Sequence, residues 1–265
     1  EGHLFACDSE ARTFGPFGGA PLPGGSLPIW PSPDPDDPVG IHFTSGTTGF
    51  PKGCVLTHRS WVVAALALRQ TLPHMPRRLL SDTPYFYLDA PMELAFALLI
   101  GAEQYVAAKV SLSNFTRWLA DFDIDYCEVW EVLGNQVPDP ESEARLRNRE
   151  IPILMSSFGL KADVHADLQK RLNAEIREMF GMTEVGLATV VPYQDESMIG
   201  TGSCGRAAPY REVRVVDPEH LVDVAEGEVG ELWVRGPGLL REYHRRPEVN
   251  AVCLLPDGWF RTGDL

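Results

Sequence analysis

The chain has 265 residues, enough for one large domain or two modest ones with a true hydrophobic core. Its composition, 44% hydrophobic and 23% charged, is that of an ordinary soluble protein, and a formal charge of −14 argues against nonspecific binding to nucleic acid or anionic membranes. The five cysteines are widely spaced with no CxxC pair, which excludes a zinc knuckle and a disulfide framework and points to a reducing cytoplasm.

Residues 1–38 read as an irregular lead-in rich in proline and glycine. VGIHFT (39–44) reads as a strand, and 57–72 as a helix. Between them lies TSGTTGFPKG (44–53). A helix is expected around 91–101, where APMELAFALLIGA is too short for a membrane span and is interrupted by Glu93. A strand at 103–108, a helix at 113–121, strands near 124–131 and 152–156, and a helix at 162–174 follow. The pair Arg77-Arg78 reads as a solvated face. This alternation predicts an α/β fold, a layered and mainly parallel sheet with flanking helices, over 39–185. Residues 186–265 are β-rich and predict an antiparallel, barrel-like subdomain of the same large domain.

A glycine-rich loop between a strand and a helix can turn backbone N–H groups toward an anion, helped by the helix dipole. The hydroxyls of Thr44, Ser45, Thr47 and Thr48 and the point charge of Lys52 suit phosphate. The pattern is not GxxxxGK[ST], which excludes an ordinary P-loop, and a polar surface loop is the alternative. In FGMTEVG (180–186), a carboxylate beside a threonine hydroxyl can pair a magnesium ligand with a phosphate donor, or simply form a turn. Asp264 in GWFRTGDL can accept two hydrogen bonds from a diol, or mark a plain Gly-Asp turn. The seven histidines show no metal spacing.

These stretches, in this order, resemble the motifs of the adenylate-forming (AMP-binding) superfamily. TSGTTGFPKG is similar to its phosphate loop, FGMTE to its adenylate motif, GTGSCGRAAPYREVRVVD to its GSxGRP stretch, and GELWVRGPGLLREYHRRPEVN…DGWFRTGDL to its late motif. The likeness runs from about residue 33 to the end and is nearest to acyl-CoA synthetases. It implies that ATP and a carboxylic acid give an acyl-adenylate and pyrophosphate, after which coenzyme A takes the acyl group.

By the same resemblance, Thr44, Ser45, Gly46, Thr47, Thr48, Gly49 and Lys52 hold the β- and γ-phosphates. Thr183 touches the α-phosphate, Glu184 binds Mg2+, Phe180 stacks on adenine and Asp264 grips the ribose. Two departures fall at the acid pocket. SSFGL, with Ser157, Phe158 and Gly159, stands where a Gly-Gly-Ala-Pro type loop is usual, and Tyr87 in PYFY stands in place of a gating histidine or aromatic residue. Neither the family's first N-terminal sheet nor its C-terminal domain with the catalytic lysine is recognisable. The chain therefore reads as an internal fragment of a longer ligase, unable by itself to complete the reaction. The departures suggest one alternative, a nucleotide-binding module that has lost catalysis; an adenylation domain serving a carrier protein is a second.

Overall fold

The structure is a computed structural model that describes residues 4–7, 14–16, 32–44, 50–136, 139–149, 153–156 and 159–265. In chain order its first elements are β1 (Leu4–Cys7), β2 (Phe14–Pro16), β3 (Pro38–Thr44), β4 (Lys52–Thr57) and α1 (His58–Thr71). Then come β5 (Arg78–Ser81), α2 (Asp89–Ile100), β6 (Glu103–Val106), α3 (Leu112–Asp121), β7 (Tyr126–Glu128) and α4 (Pro140–Leu146). The sequence continues through β8 (Ile153–Ser156), α5 (Ala162–Leu172), β9 (Glu175–Met182), β10 (Gly186–Val190) and β11 (Arg206–Ala207). The last elements are β12 (Glu212–Val216), β13 (Glu231–Arg235), β14 (Glu242–Tyr243), α6 (Pro247–Cys253) and β15 (Trp259–Arg261).

The expected α/β architecture is present. A nine-stranded sheet runs β11-β10-β9-β8-β7-β5-β6-β1-β2, parallel from β9 through β1 and antiparallel at both ends. Successive residues of its central strands face opposite ways, as the two-residue repeat of a strand requires. Leu79 and Tyr126 join the core built with Ala65, Leu68 and Phe96 of α1 and α2. Leu80 and Cys127 join the core built with Trp118, Leu119 and Leu168 of α3 and α5. Helices thus cover both faces, as a mainly parallel sheet demands. Two small antiparallel sheets, β12-β13-β15 and β14-β4-β3, complete the fold.

Several elements depart from the sequence expectations. The lead-in supplies β1 and β2. The pair Arg77-Arg78 is not a simple solvated face: Arg78 opens the central strand β5 and pairs with Glu103 at 3.1 Å and Asp123 at 3.2 Å. The run LLS that follows is buried on both faces, so it carries no alternation to betray a strand. The large sheet also crosses residue 185, since β10 and β11 extend it beyond β9.

The most consequential departure concerns TSGTTGFPKG. It joins two antiparallel strands, with Thr44 opposite Lys52, instead of joining a strand to a helix. α1 begins only at His58 and is capped by its own box: Thr57 Oγ1 accepts from Ser60 N–H at 3.2 Å, and Ser60 Oγ accepts from Thr57 N–H at 3.1 Å. The helix dipole therefore lies a whole strand away from the loop. No helix among the described residues is long and apolar enough to cross a membrane.

Candidate functional site

The strand order of the large sheet reverses around β5, with β6 on one side and β7 on the other. In open α/β sheets such a switch point leaves a crevice outside the carboxyl ends of the strands. A cavity of about 220 Å³ lies there. Its walls include Asp89, Met92 and Glu93 of α2, Glu128 at the end of β7, and Thr183 just after β9.

Residues 183–185 form the tight turn between β9 and β10, closed by a Val185 N–H bond to the Met182 carbonyl at 3.0 Å. Gly186 leaves the turn with φ +63°, and a Cβ on Gly181 would stand 2.8 Å from the Gly186 carbonyl oxygen. Glycine at these two positions is what permits the reversal. Arg211 fixes the turn from behind. It donates from Nη2 to the Val185 carbonyl at 2.7 Å and from Nη1 to the Pro237 carbonyl at 2.6 Å. Burial pulls its pKa down to about 10, so it remains a cation at neutral pH.

Glu184 is buried at the tip of this turn. Its Oε1 accepts the Tyr243 hydroxyl at 2.7 Å, and its carbonyl accepts Leu240 N–H at 2.7 Å. Burial and the Glu184 charge push the Tyr243 phenol well up, which keeps it a donor. The Cys54 thiol is raised by burial and by the same carboxylate, so it is not a nucleophile. Lys52 Nζ stands 4.6 Å from the centre of the Tyr243 ring, a cation–π contact, and has no ion pair among the described residues. Thr44 Oγ1 is buried with no hydrogen-bond partner among the described residues.

The fold therefore gathers Lys52 and Glu184 around Tyr243, and places Thr183 in the cavity wall. Tyr87 also lines the cavity, half-exposed against Phe86 with ring centres 4.7 Å apart. Phe180 is half-buried on β9 and packs on the core that contains Val185 and Tyr243; it does not line this cavity. Asp264 has an exposed carboxylate on a backbone held by Leu232 N–H to its carbonyl at 2.9 Å. Gly159 is exposed with φ +55° and does not line the cavity either. Ser45, Gly46, Thr47, Thr48, Gly49, Ser157 and Phe158 lie outside the described residues.

Tyr243 and Arg211 were invisible as site residues in the sequence. Both lie inside stretches that resemble family motifs, but Tyr243 is 59 positions from Glu184 and Arg211 is 26 from Val185, and nothing local tells which group each one meets. The acids were equally silent. Burial, then the neighbouring carboxylates, raise Glu93 and Glu128 well above the usual carboxylate range. Burial also raises Asp89, and lifts Asp82, just after β5, to about 6.

The raised Asp82 has a stability consequence. Its folded form holds a proton that the unfolded chain releases near 3.8, so its contribution is complete below about pH 4 and is lost as pH rises toward 6. Among the described residues the charged groups it acts on are Glu93 of α2 and Glu128 of β7, both acidic, and the Trp130 hydrogen bond lowers its pKa less than burial raises it, so the sign stands. Asp82→Asn is expected to gain roughly 3 kcal/mol relative to the unsubstituted protein between pH 4 and pH 7. Urea unfolding of both proteins at the two pH values checks this; a difference that does not change with pH would contradict it.

A match to the AMP-binding enzyme family covers residues 18–244. The chain belongs to that family. The 4-coumarate–CoA ligase-like 4 of Oryza sativa is 30% identical over 236 residues, which cover 87% of this chain and 43% of that protein. Among solved structures, the luciferase-like enzyme of the mealworm Zophobas morio superposes with a TM-score of 0.78 at 25% identity, over 91% of this chain and 58% of that one. ATP-bound MatB from Rhodopseudomonas palustris superposes with a TM-score of 0.75 at 25% identity, over 87% and 46%. The chain spans less than half the length of its curated plant relative.

Proposed function

We propose that this chain is the nucleotide- and acid-binding part of an ATP-dependent carboxylic acid–CoA ligase. The observation that carries the reading is the convergence of Lys52 and Glu184 on Tyr243, next to a cavity that has Thr183 in its wall. In this reading the loop from Thr44 to Lys52 holds the β- and γ-phosphates of ATP, with the lysine as the fixed charge. Thr183 donates to the α-phosphate, Phe180 lies against adenine and the exposed Asp264 carboxylate takes the ribose diol. The substrate carboxylate attacks the α-phosphorus, pyrophosphate leaves, and the acyl-adenylate then passes its acyl group to the CoA thiol with release of AMP. What this asks of the protein is positioning and charge neutralisation more than a protein nucleophile.

Glu184 fits a magnesium ligand. Its Oε1 is held by Tyr243, and no lysine or arginine pairs with it among the described residues. Bound magnesium would neutralise phosphate charge there. The free thiols of Cys54, Cys127, Cys204 and Cys253 support a reducing, cytoplasmic setting.

The full-length protein is expected to exchange labelled pyrophosphate into ATP only when a carboxylic acid is supplied, and then to consume CoA thiol. Absence of exchange across a broad aliphatic and aromatic panel overturns the ligase reading. Exchange without CoA consumption would point to a carrier protein as acceptor.

A further inference from the structure

The cavity at the switch point has an unusual wall. Asp89 and Glu93 lie four residues apart on α2, hence on one face, and Glu128 ends β7 beside them. Much of the remaining lining is apolar, with Leu68, Tyr126 and Met179 among it. Glu93 is 4% exposed, its Oε2 makes no hydrogen bond of good geometry among the described residues, and the buried Ser81 hydroxyl beside it is a neutral donor, not a counter-charge. Glu128 is 8% exposed and makes no hydrogen bond or ion pair among the described residues. No lysine, arginine or histidine among the described residues pairs with any of the three.

A carboxylate kept only for structure would be paired, because an unpartnered buried acid is costly in either protonation state. Three acids in one cavity also repel one another when ionised, which favours the fold that leaves them protonated until a counter-charge arrives. The acids do not make a metal site: no group of three or more metal-ligating side chains is assembled among the described residues. What remains is a counter-charge brought by the ligand. An ammonium group has three donors and a full positive charge, and can satisfy both Glu93 and Glu128.

We propose that this cavity selects a carboxylic acid bearing a cationic amino group remote from its reacting carboxylate, with the nitrogen held by Glu93 and Glu128. This rests on the ligase reading above. The acid's carboxylate then lies toward Thr183, in the wall of the same cavity, and the ammonium toward α2 and the end of β7. Such an acid would be a small one, given a cavity of about 220 Å³.

The test is pyrophosphate exchange by the full-length protein with matched acids: aminomethylbenzoate against methylbenzoate and hydroxymethylbenzoate, and aminopentanoate against pentanoate and hydroxypentanoate. The amino acids are expected to exceed their uncharged partners in kcat/KM by about a hundredfold or more, since buried polar groups left unpaired penalise the analogue that lacks the matching group. In Glu93→Gln and Glu128→Gln that ratio is expected to fall toward one, and the melting temperature should not drop, because each substitution removes a buried acid. Should a glutamine variant fail to fold, Glu93→Met supplies the same ratio. Calorimetric binding of aminomethylbenzoate to the unsubstituted protein gives a second reading that does not depend on turnover.

Exchange with the uncharged or hydroxyl acids in preference to the amino acids overturns this proposal and leaves the ligase reading intact. A preference for amino acids that survives both glutamine substitutions overturns it as well. Exchange with no acid at all defeats the ligase reading; if calorimetry then also shows no binding of aminomethylbenzoate, the amino-acid cavity fails independently.

Discussion

Replacing Lys52 by alanine in the full-length protein is expected to cut acid-dependent pyrophosphate exchange by about a hundred- to a thousandfold, the loss typical when one fixed donor to a developing charge is removed. The expectation follows from how the lysine is held. β4 is paired antiparallel on both sides, with β3 across the phosphate loop and with β14 through Tyr243 opposite Cys54. The stem of Lys52 is therefore anchored, and its ammonium rests on the Tyr243 ring with no carboxylate bound to it among the described residues. A charge placed but unpaired is free to meet phosphate. Since no described ion pair is lost, Lys52→Ala should melt close to the unsubstituted protein. Glu184→Gln should instead shift the magnesium dependence of exchange. Tyr243→Phe should have a smaller effect than either, because it removes only the donor that orients Oε1. Exchange by Lys52→Ala within about threefold of the unsubstituted enzyme would sink the phosphate role.

The motifs expected to meet a nucleotide are recognisable in the sequence because each is a contiguous stretch with its own turn chemistry. FGMTE needs glycine at 181 and 186 for the reversal, and both are on view in one short stretch. The surroundings of TSGTTGFPKG carry less local signal. KGCVLT is buried almost throughout and shows no polar–apolar alternation, so the sequence points past β4 to the helix at 57–72, and the loop's strand-to-strand connection comes only from the fold. β5 was hidden for the same reason. Contacts between distant segments left no local signal. FGMTE offers Glu184 as a magnesium ligand or a turn acid but does not show that Tyr243 reaches it from β14, and Glu93 interrupts an apolar helix with no sign that Glu128 stands across the same cavity. Motifs encode what touches a ligand through one loop; pockets are assembled from side chains that only the topology brings together.

Removal of the Arg211 guanidinium is expected to destabilise the fold, because it ties two loops together at the Glu184 turn. The residue is 7% exposed; its Nη2 serves the Val185 carbonyl on the Glu184 turn, and its Nη1 serves the Pro237 carbonyl on the loop after β13 and, at 3.4 Å, that of Tyr210. Arg211→Ala leaves both acceptors without a donor and opens a void, and should lower the unfolding free energy by about 3–5 kcal/mol. Arg211→Lys should recover only part of this, because a single ammonium replaces a planar fork that reaches both acceptors at once. The kinetic consequence separates this role from mere packing. Leu240, three residues beyond Pro237, donates its N–H to the Glu184 carbonyl, so the two segments tied by Arg211 are also tied to each other at the acid. Loosening them should lower kcat for exchange more than it raises KM for a carboxylic acid held, as proposed, in the cavity walled mainly by α2 and the strand ends. Guanidinium unfolding and exchange kinetics of both variants check the two halves of the expectation. A loss of under about 1 kcal/mol in Arg211→Ala would mean that the two loops are held by other contacts and that the turn bearing Glu184 does not depend on this cation.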